Sequence, residues 1–238
     1  MSEEGPRRGD GISGAEVRVL ERMAVRRFAA AALILGAVFF GTAGTLRYWE
    51  AWVYLAITLI PMALAVRYLI RTDPELLERR LKAREERATR SVLQKVGAVA
   101  WLALLLIPGL DQRFDWSSVP AIVVLAGNAL VLLGYLLFVR VMQENSYASR
   151  VIEVREGQSV ITTGPYAMVR HPMYLAVFVM LCASPVALGS SWALIPAAVT
   201  PLILVFRIRD EEAMLRAAFP EYRVYAERTP YRLIPGVW

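Results

Sequence analysis

The chain has 238 residues, 57% of them hydrophobic, and a formal net charge of +6. A soluble domain carries about 45–50% apolar residues, so this composition, with a mean hydropathy of +0.44, excludes an ordinary soluble domain and points to an all-α bundle of membrane helices. The basic excess flanks apolar stretches, which excludes nucleic acid as a partner, and the single cysteine, Cys182, excludes an intrachain disulfide or a cysteine-based metal centre.

Residues 1–22 are polar, charged and Gly-rich, with no small-residue cleavage site of the signal-peptide kind. They predict a disordered cytoplasmic tail ending in a short interfacial helix over Ala15–Arg27. A spanning helix needs about 20 mostly apolar residues. Phe28–Leu46, Ala51–Ile70, Val92–Leu110 and Val119–Val139 meet that requirement. Between the second and third, Asp73-Pro74-Glu75 reads as a helix cap and start, opening a charged interfacial helix towards Arg87. Met173–Phe206 is too long for one span, and Gly189-Ser190-Ser191 predicts a tight turn within it. The result is a hairpin, Met173–Leu188 and Trp192–Phe206, giving about six membrane helices. Within the first arm, Cys182 reads as a packing residue.

Arginines crowd the segment before the first span, the loop at 71–95 and the loop after the fourth span. The connections Thr45–Glu50, Asp111–Ser118 and Gly189–Ser191 are short and poor in basic residues. The positive-inside bias then places the basic loops and both termini in the cytoplasm. Arginine far outnumbers lysine, present only as Lys82 and Lys95, a bias that points to a GC-rich bacterial genome and hence to an inner membrane. Three regions follow: a tail at 1–27, membrane spans at 28–141 and a catalytic region at 142–238. No small-xxx-small pattern marks a dimer face, so the oligomeric state stays open.

Ionisable groups beside apolar spans are functional suspects, and three cytoplasmic pieces carry them. The first is Gln143-Glu144-Asn145-Ser146-Tyr147. The second runs from Gly164-Pro165-Tyr166 through Arg170-His171-Pro172-Met173-Tyr174 and holds the only histidine. The third is Arg207-Ile208-Arg209-Asp210-Glu211-Glu212. Gly164-Pro165 predicts a turn, and Pro172 biases His171 away from helix while opening the next one. There His171 is either a ligand contact or a tie between loops. Arg207 and Glu211, four apart, share a helix face as a surface ion pair or as part of a site. With one histidine and an isolated cysteine, no zinc site is expected. The aromatic and basic tail, Phe219–Tyr225 and Pro230–Pro235, reads equally as a lid or as an interfacial helix.

In combination and order these pieces resemble the isoprenylcysteine carboxyl methyltransferase family, within the wider group of small membrane methyltransferases that includes phospholipid methyltransferases. The resemblance rests on Gly164-Pro165-Tyr166, Arg170-His171-Pro172-Met173-Tyr174, Arg207-Ile208 with Glu211-Glu212 and Leu215, then Phe219, Tyr222, Tyr225 and Ile234-Pro235. It covers roughly the last 100 residues. It implies S-adenosyl-L-methionine as methyl donor, in a pocket at the cytoplasmic face. It further implies that Gly164, Pro165, Tyr166, Arg170, His171, Pro172, Tyr174 and Glu211 bind the cofactor. Arg207, Glu212 and Arg170 would act at the reacting centre, and Asn145, Tyr147 and Arg207 would meet the substrate. That substrate would be a lipophilic or lipidated molecule entering from the membrane lipids, with carboxylate O-methylation as the leading chemistry. Phospholipid, amine or thiol methylation is the alternative. A sterol-reductase-type NADPH enzyme and a non-catalytic membrane scaffold are the remaining readings. The chain departs from the family's eukaryotic pattern at Asn145-Ser146-Tyr147-Ala148-Ser149, which lacks a histidine.

Overall fold

The structure is a computed structural model that describes residues 14–72, 74, 77, 92–145 and 160–238. Among these, all regular structure is helical. The order is α1 (Gly14–Ala43), α2 (Trp49–Thr72), α3 (Val92–Phe114), α4 (Ala121–Glu144), a 3-10 turn (Gly164–Ala167), α5 (Pro172–Ala187), α6 (Leu194–Ala197), α7 (Thr200–Ala218) and α8 (Tyr222–Arg228). Among the described residues, four helices are long and apolar enough to cross a membrane: Arg18–Ala43, Trp49–Thr72, Lys95–Phe114 and Ala121–Glu144.

The separate interfacial helix expected over Ala15–Arg27 is absent, because α1 runs unbroken through it. At 1.5 Å per residue α1 is about 45 Å long, well beyond the ~30 Å hydrocarbon core. Its first turns carry Arg18, Arg22, Arg26 and Arg27 outside the apolar stretch, while Leu20 and Ala24, one turn apart, pack against Leu69, Leu77 and Met142. That packing gives the helix a reason to continue. Of the expected helix over 74–87, only Pro74 and Leu77 lie among the described residues, both helical. The tail at 1–13 lies outside them.

The pair α4 and α5 forms the tightest seam. A Cβ at Gly127 would lie 2.8 Å from the Ala187 nitrogen, and one at Gly134 would lie 3.1 Å from the Ala176 carbonyl oxygen. Glycine at both positions, two turns apart, lets the backbones touch. Asn128 locks the seam by donating from Nδ2 to the Val124 and Ala187 carbonyls at 3.0 and 2.9 Å. Cys182, in α5, is half-buried.

The expected turn at 189–191 is present, with Gly189 at φ +72°. It is held by polar groups at the end of the bundle far from His171. Tyr48 donates to the Leu188 carbonyl at 2.6 Å. Buried Asp111 accepts from the Ser117 N–H, the Ser117 hydroxyl and the Ser190 hydroxyl at 2.8, 2.7 and 2.5 Å. The return arm differs from expectation. Trp192–Phe206 is not one helix but a single turn, α6, followed by α7, which starts at Thr200-Pro201. Pro201 lacks an N–H but sits in the first turn of α7, where no intrahelical donor is needed, so a helix starts there. Then α7 runs past Phe206 to Ala218 and carries Arg207–Glu212 out of the apolar part. At 16 residues, α5 spans about 24 Å.

Candidate functional site

The site is assembled where α4 ends, α5 begins and the middle of α7 passes. Gly164 has φ +57°, a left-handed conformation that favours glycine. It also needs to be small, because a Cβ there would meet Glu144 Oε2 at 2.5 Å. Glu144 in turn accepts from the Thr163 hydroxyl at 2.5 Å and pairs with Arg140 at 2.9 Å. The Gly-Pro-Tyr turn is thereby docked on the last turn of α4. Asn145 Nδ2 donates to the Tyr166 hydroxyl at 2.9 Å, and the Tyr225 hydroxyl donates to the Tyr166 carbonyl at 2.8 Å. Phe219, Tyr222 and Tyr225 form a buried cluster against Tyr166, Val160 and Leu215. The Phe-x-x-Tyr-x-x-Tyr spacing is therefore a packing stripe that presses the C-terminal segment onto the turn.

His171 is the N-cap residue of α5, at φ −124° and ψ 60°, outside the helical region, with Pro172 opening the helix. Arg170 and His171 pair with the C-terminal segment through their N–H groups, to the Tyr231 and Arg232 carbonyls at 2.9 Å each. The Arg170 side chain is buried. Its Nε donates to Glu212 Oε1 at 2.7 Å, and its Nη1 donates to the Thr229 and Pro230 carbonyls at 2.7 and 2.8 Å. Glu212 also receives Arg232 at 3.0 Å, with Arg216 and Tyr222 each at 3.4 Å.

Burial alone pushes the Glu212 carboxyl up, but His171, Arg170 and Arg232 around it hold it far below the usual carboxylate range. His171 Nε2 lies 3.5 Å from Glu212 and makes no regular hydrogen bond, whereas Arg170 and Arg232 bond it at 2.7 and 3.0 Å. Burial, reinforced for Tyr222 by the Glu212 charge, raises the Tyr222 and Tyr225 hydroxyls well above their ordinary value, and both stay donors.

A second group lies beside this knot. Tyr174, in the first turn of α5, lies beside Glu211 and Arg207 of α7, close enough for their charges to act on its hydroxyl. The His171 and Tyr174 rings are 5.7 Å apart. Arg207, Glu211 and Tyr174 are all half-buried, in contrast to Glu212 at 3% exposure. This group is the more accessible of the two.

The structure thus gathers Asn145, Gly164, Pro165, Tyr166, Arg170, His171, Pro172, Tyr174, Arg207, Glu211 and Glu212 at one end of the bundle. Tyr147 lies outside the described residues. Arg170 and Glu212, expected at the reacting centre, are spent on each other and on the C-terminal segment. Sequence reasoning missed Glu144 and Arg232 as structural partners. Their contacts join residues about 20 positions apart, and no local pattern announces such pairs.

Curated proteins with detectable similarity are of two kinds. A nickel-cobalt-cadmium resistance protein of Alcaligenes xylosoxydans xylosoxydans is 33% identical over 56% of this chain and 59% of its own length. A cobalt-zinc-cadmium resistance protein of Cupriavidus metallidurans is 33% identical over 33% of this chain and 37% of its own. A delta(14)-sterol reductase of Mus musculus is 33% identical over 37% of this chain and 22% of its own. The chain therefore spans less than two thirds of each relative it matches. Residues 122–222, which include every candidate site residue expected from the sequence, match the phospholipid methyltransferase family.

Proposed function

We propose that this chain is an integral-membrane methyltransferase that takes its methyl group from S-adenosyl-L-methionine and passes it to a lipophilic acceptor. The observation that carries the reading is the phospholipid methyltransferase match over 122–222. The donor set suits this cofactor. Glu211 offers a carboxylate for its amino or ribose hydroxyl groups, Arg207 a guanidinium for an anionic group, and Tyr166 and Tyr174 aromatic faces for the purine or the cationic centre. When bound, the cofactor supplies an electrophilic methyl group on a sulfonium. The residues of this chain bind and orient, and catalysis by proximity needs little more.

An ionised carboxylate acceptor requires no general base, and Arg207, midway along α7, would pair with one, so carboxylate O-methylation of an isoprenylcysteine-like or other lipid-like molecule is the favoured reaction. Amine or thiol acceptors would first lose a proton. The acceptor's tail would stay among the apolar parts of α5 and α7. The basic loops favour a site on the cytoplasmic face of a bacterial inner membrane.

Calorimetric titration of S-adenosylhomocysteine into the detergent-purified chain tests the proposal, beside Glu211→Ala and His171→Ala. Binding that both variants lose supports it. The similarity to a sterol reductase supplies the second reading. NADPH binding by a folded protein that ignores S-adenosylhomocysteine would move the assignment there.

A further inference from the structure

The neighbouring glutamates of α7 serve different ends. Glu211 is half-buried beside Tyr174 and Arg207. Glu212 has both oxygens occupied: Oε1 by Arg170 and Tyr222, Oε2 by Arg232 and Arg216. An ionised carboxylate has about four acceptor positions, so these four donors leave none for a ligand. Arg170 turns its Nε to Glu212 and its Nη1 to the carbonyls of Thr229 and Pro230, which takes three of its five N–H groups. With the N–H groups of residues 170 and 171 bonded to Tyr231 and Arg232, one buried ion pair joins the entrance of α5, the second half of α7 and the C-terminal segment.

Buried ion pairs contribute little net stability compared with apolar packing, because desolvation offsets the attraction. Adhesion here comes from Phe219, Tyr222 and Tyr225. What the directional bonds add is a single register for the segment against the Arg-His-Pro entrance.

We propose that Glu212 and Arg170 are positioning residues, a clamp braced by Arg232 that holds residues 222–238 as one wall of the donor site without touching donor or acceptor. The inference rests on the methyltransferase reading only for the identity of the ligand. The test uses the full chain in detergent, with trypsin cleavage inside 222–238 and S-adenosylhomocysteine affinity read in parallel. Glu212→Gln and Arg232→Met should each speed cleavage at Arg223 and Arg228 and weaken S-adenosylhomocysteine binding, both about tenfold. Saturating S-adenosylhomocysteine should restore protection in these variants, since a ligand stabilises the form it binds. Glu211→Gln should weaken binding with cleavage unchanged.

The clamp is overturned if Glu212→Gln loses binding while cleavage stays at the wild-type rate, which would make Glu212 a ligand contact. It is also overturned if neither readout moves. If the Gln variant does not fold, Arg232→Met decides, because the Arg232 side chain is 31% exposed. If the wild-type chain binds no S-adenosylhomocysteine, the methyltransferase reading fails, and the cleavage rates alone judge the clamp.

Discussion

Replacing Gly164 by alanine should open the Gly-Pro-Tyr turn while leaving the bundle intact. Two costs add. Holding alanine at φ +57° costs about 1–2 kcal/mol over glycine. The new Cβ would sit 2.5 Å from Glu144 Oε2 and 2.7 Å from its Cδ, so Glu144 must swing away. That movement breaks its charge-assisted bond from Thr163, worth about 1.5 kcal/mol. The pair with half-exposed Arg140 adds at most about 0.5 kcal/mol. The sum is roughly 3 kcal/mol, about a hundredfold in the docked population.

Hydrogen–deuterium exchange over residues 163–170 reads that opening without assuming a ligand, and thermal unfolding checks the bundle. In a Glu144→Ala background the clash disappears, and Gly164→Ala should cost only the backbone share. The double-mutant cycle should therefore show coupling of about 1–2 kcal/mol. Unchanged exchange in Gly164→Ala, or equal effects in both backgrounds, would refute the reasoning.

Further outcomes are expected elsewhere in the molecule. Gly127→Ala drives a Cβ into the Ala187 backbone, which has no flexible side chain to yield. It should destabilise the α4–α5 seam by about 1–3 kcal/mol in thermal unfolding. Asp111→Ala strands the Ser117 and Ser190 donors at the far end; it should cost about 2–3 kcal/mol and leave S-adenosylhomocysteine affinity unchanged. Glu212 is held below its unfolded value, so its share of stability is complete above the ordinary carboxylate range, near about 4.3. That share is lost as pH falls below it, where the unfolded chain takes up more protons. Melting temperatures followed from pH 6 to pH 3 should fall less steeply in Glu212→Gln than in the wild type.

Most of the bundle was legible from apolar run length alone, because a lipid-facing helix must satisfy its backbone internally and show apolar side chains on most sides. That requirement located the second, third and fourth spans to within about five residues, and the first only at its C-terminal end. It could not see α1 continuing through Arg22–Arg27, since a basic helix and a basic tail look alike until Leu20 and Ala24 find Leu69 and Met142. Nor did it register the break at Thr200-Pro201, where local proline chemistry outweighed an unbroken hydropathy signal.

For the site, order and residue type determined which pieces to watch: Gly164-Pro165-Tyr166, Arg170-His171-Pro172 and Arg207–Glu212. What each side chain does was decided by tertiary structure. Glu211 and Glu212 are chemically identical neighbours, and helical rotation of about 100° per residue points them to different surroundings. One is left half-buried beside Tyr174, and the other is enclosed by Arg170 and Arg232. That division depends on a C-terminal segment folding back across residues far apart in sequence, and such long-range charge pairing leaves no local trace for a sequence to display.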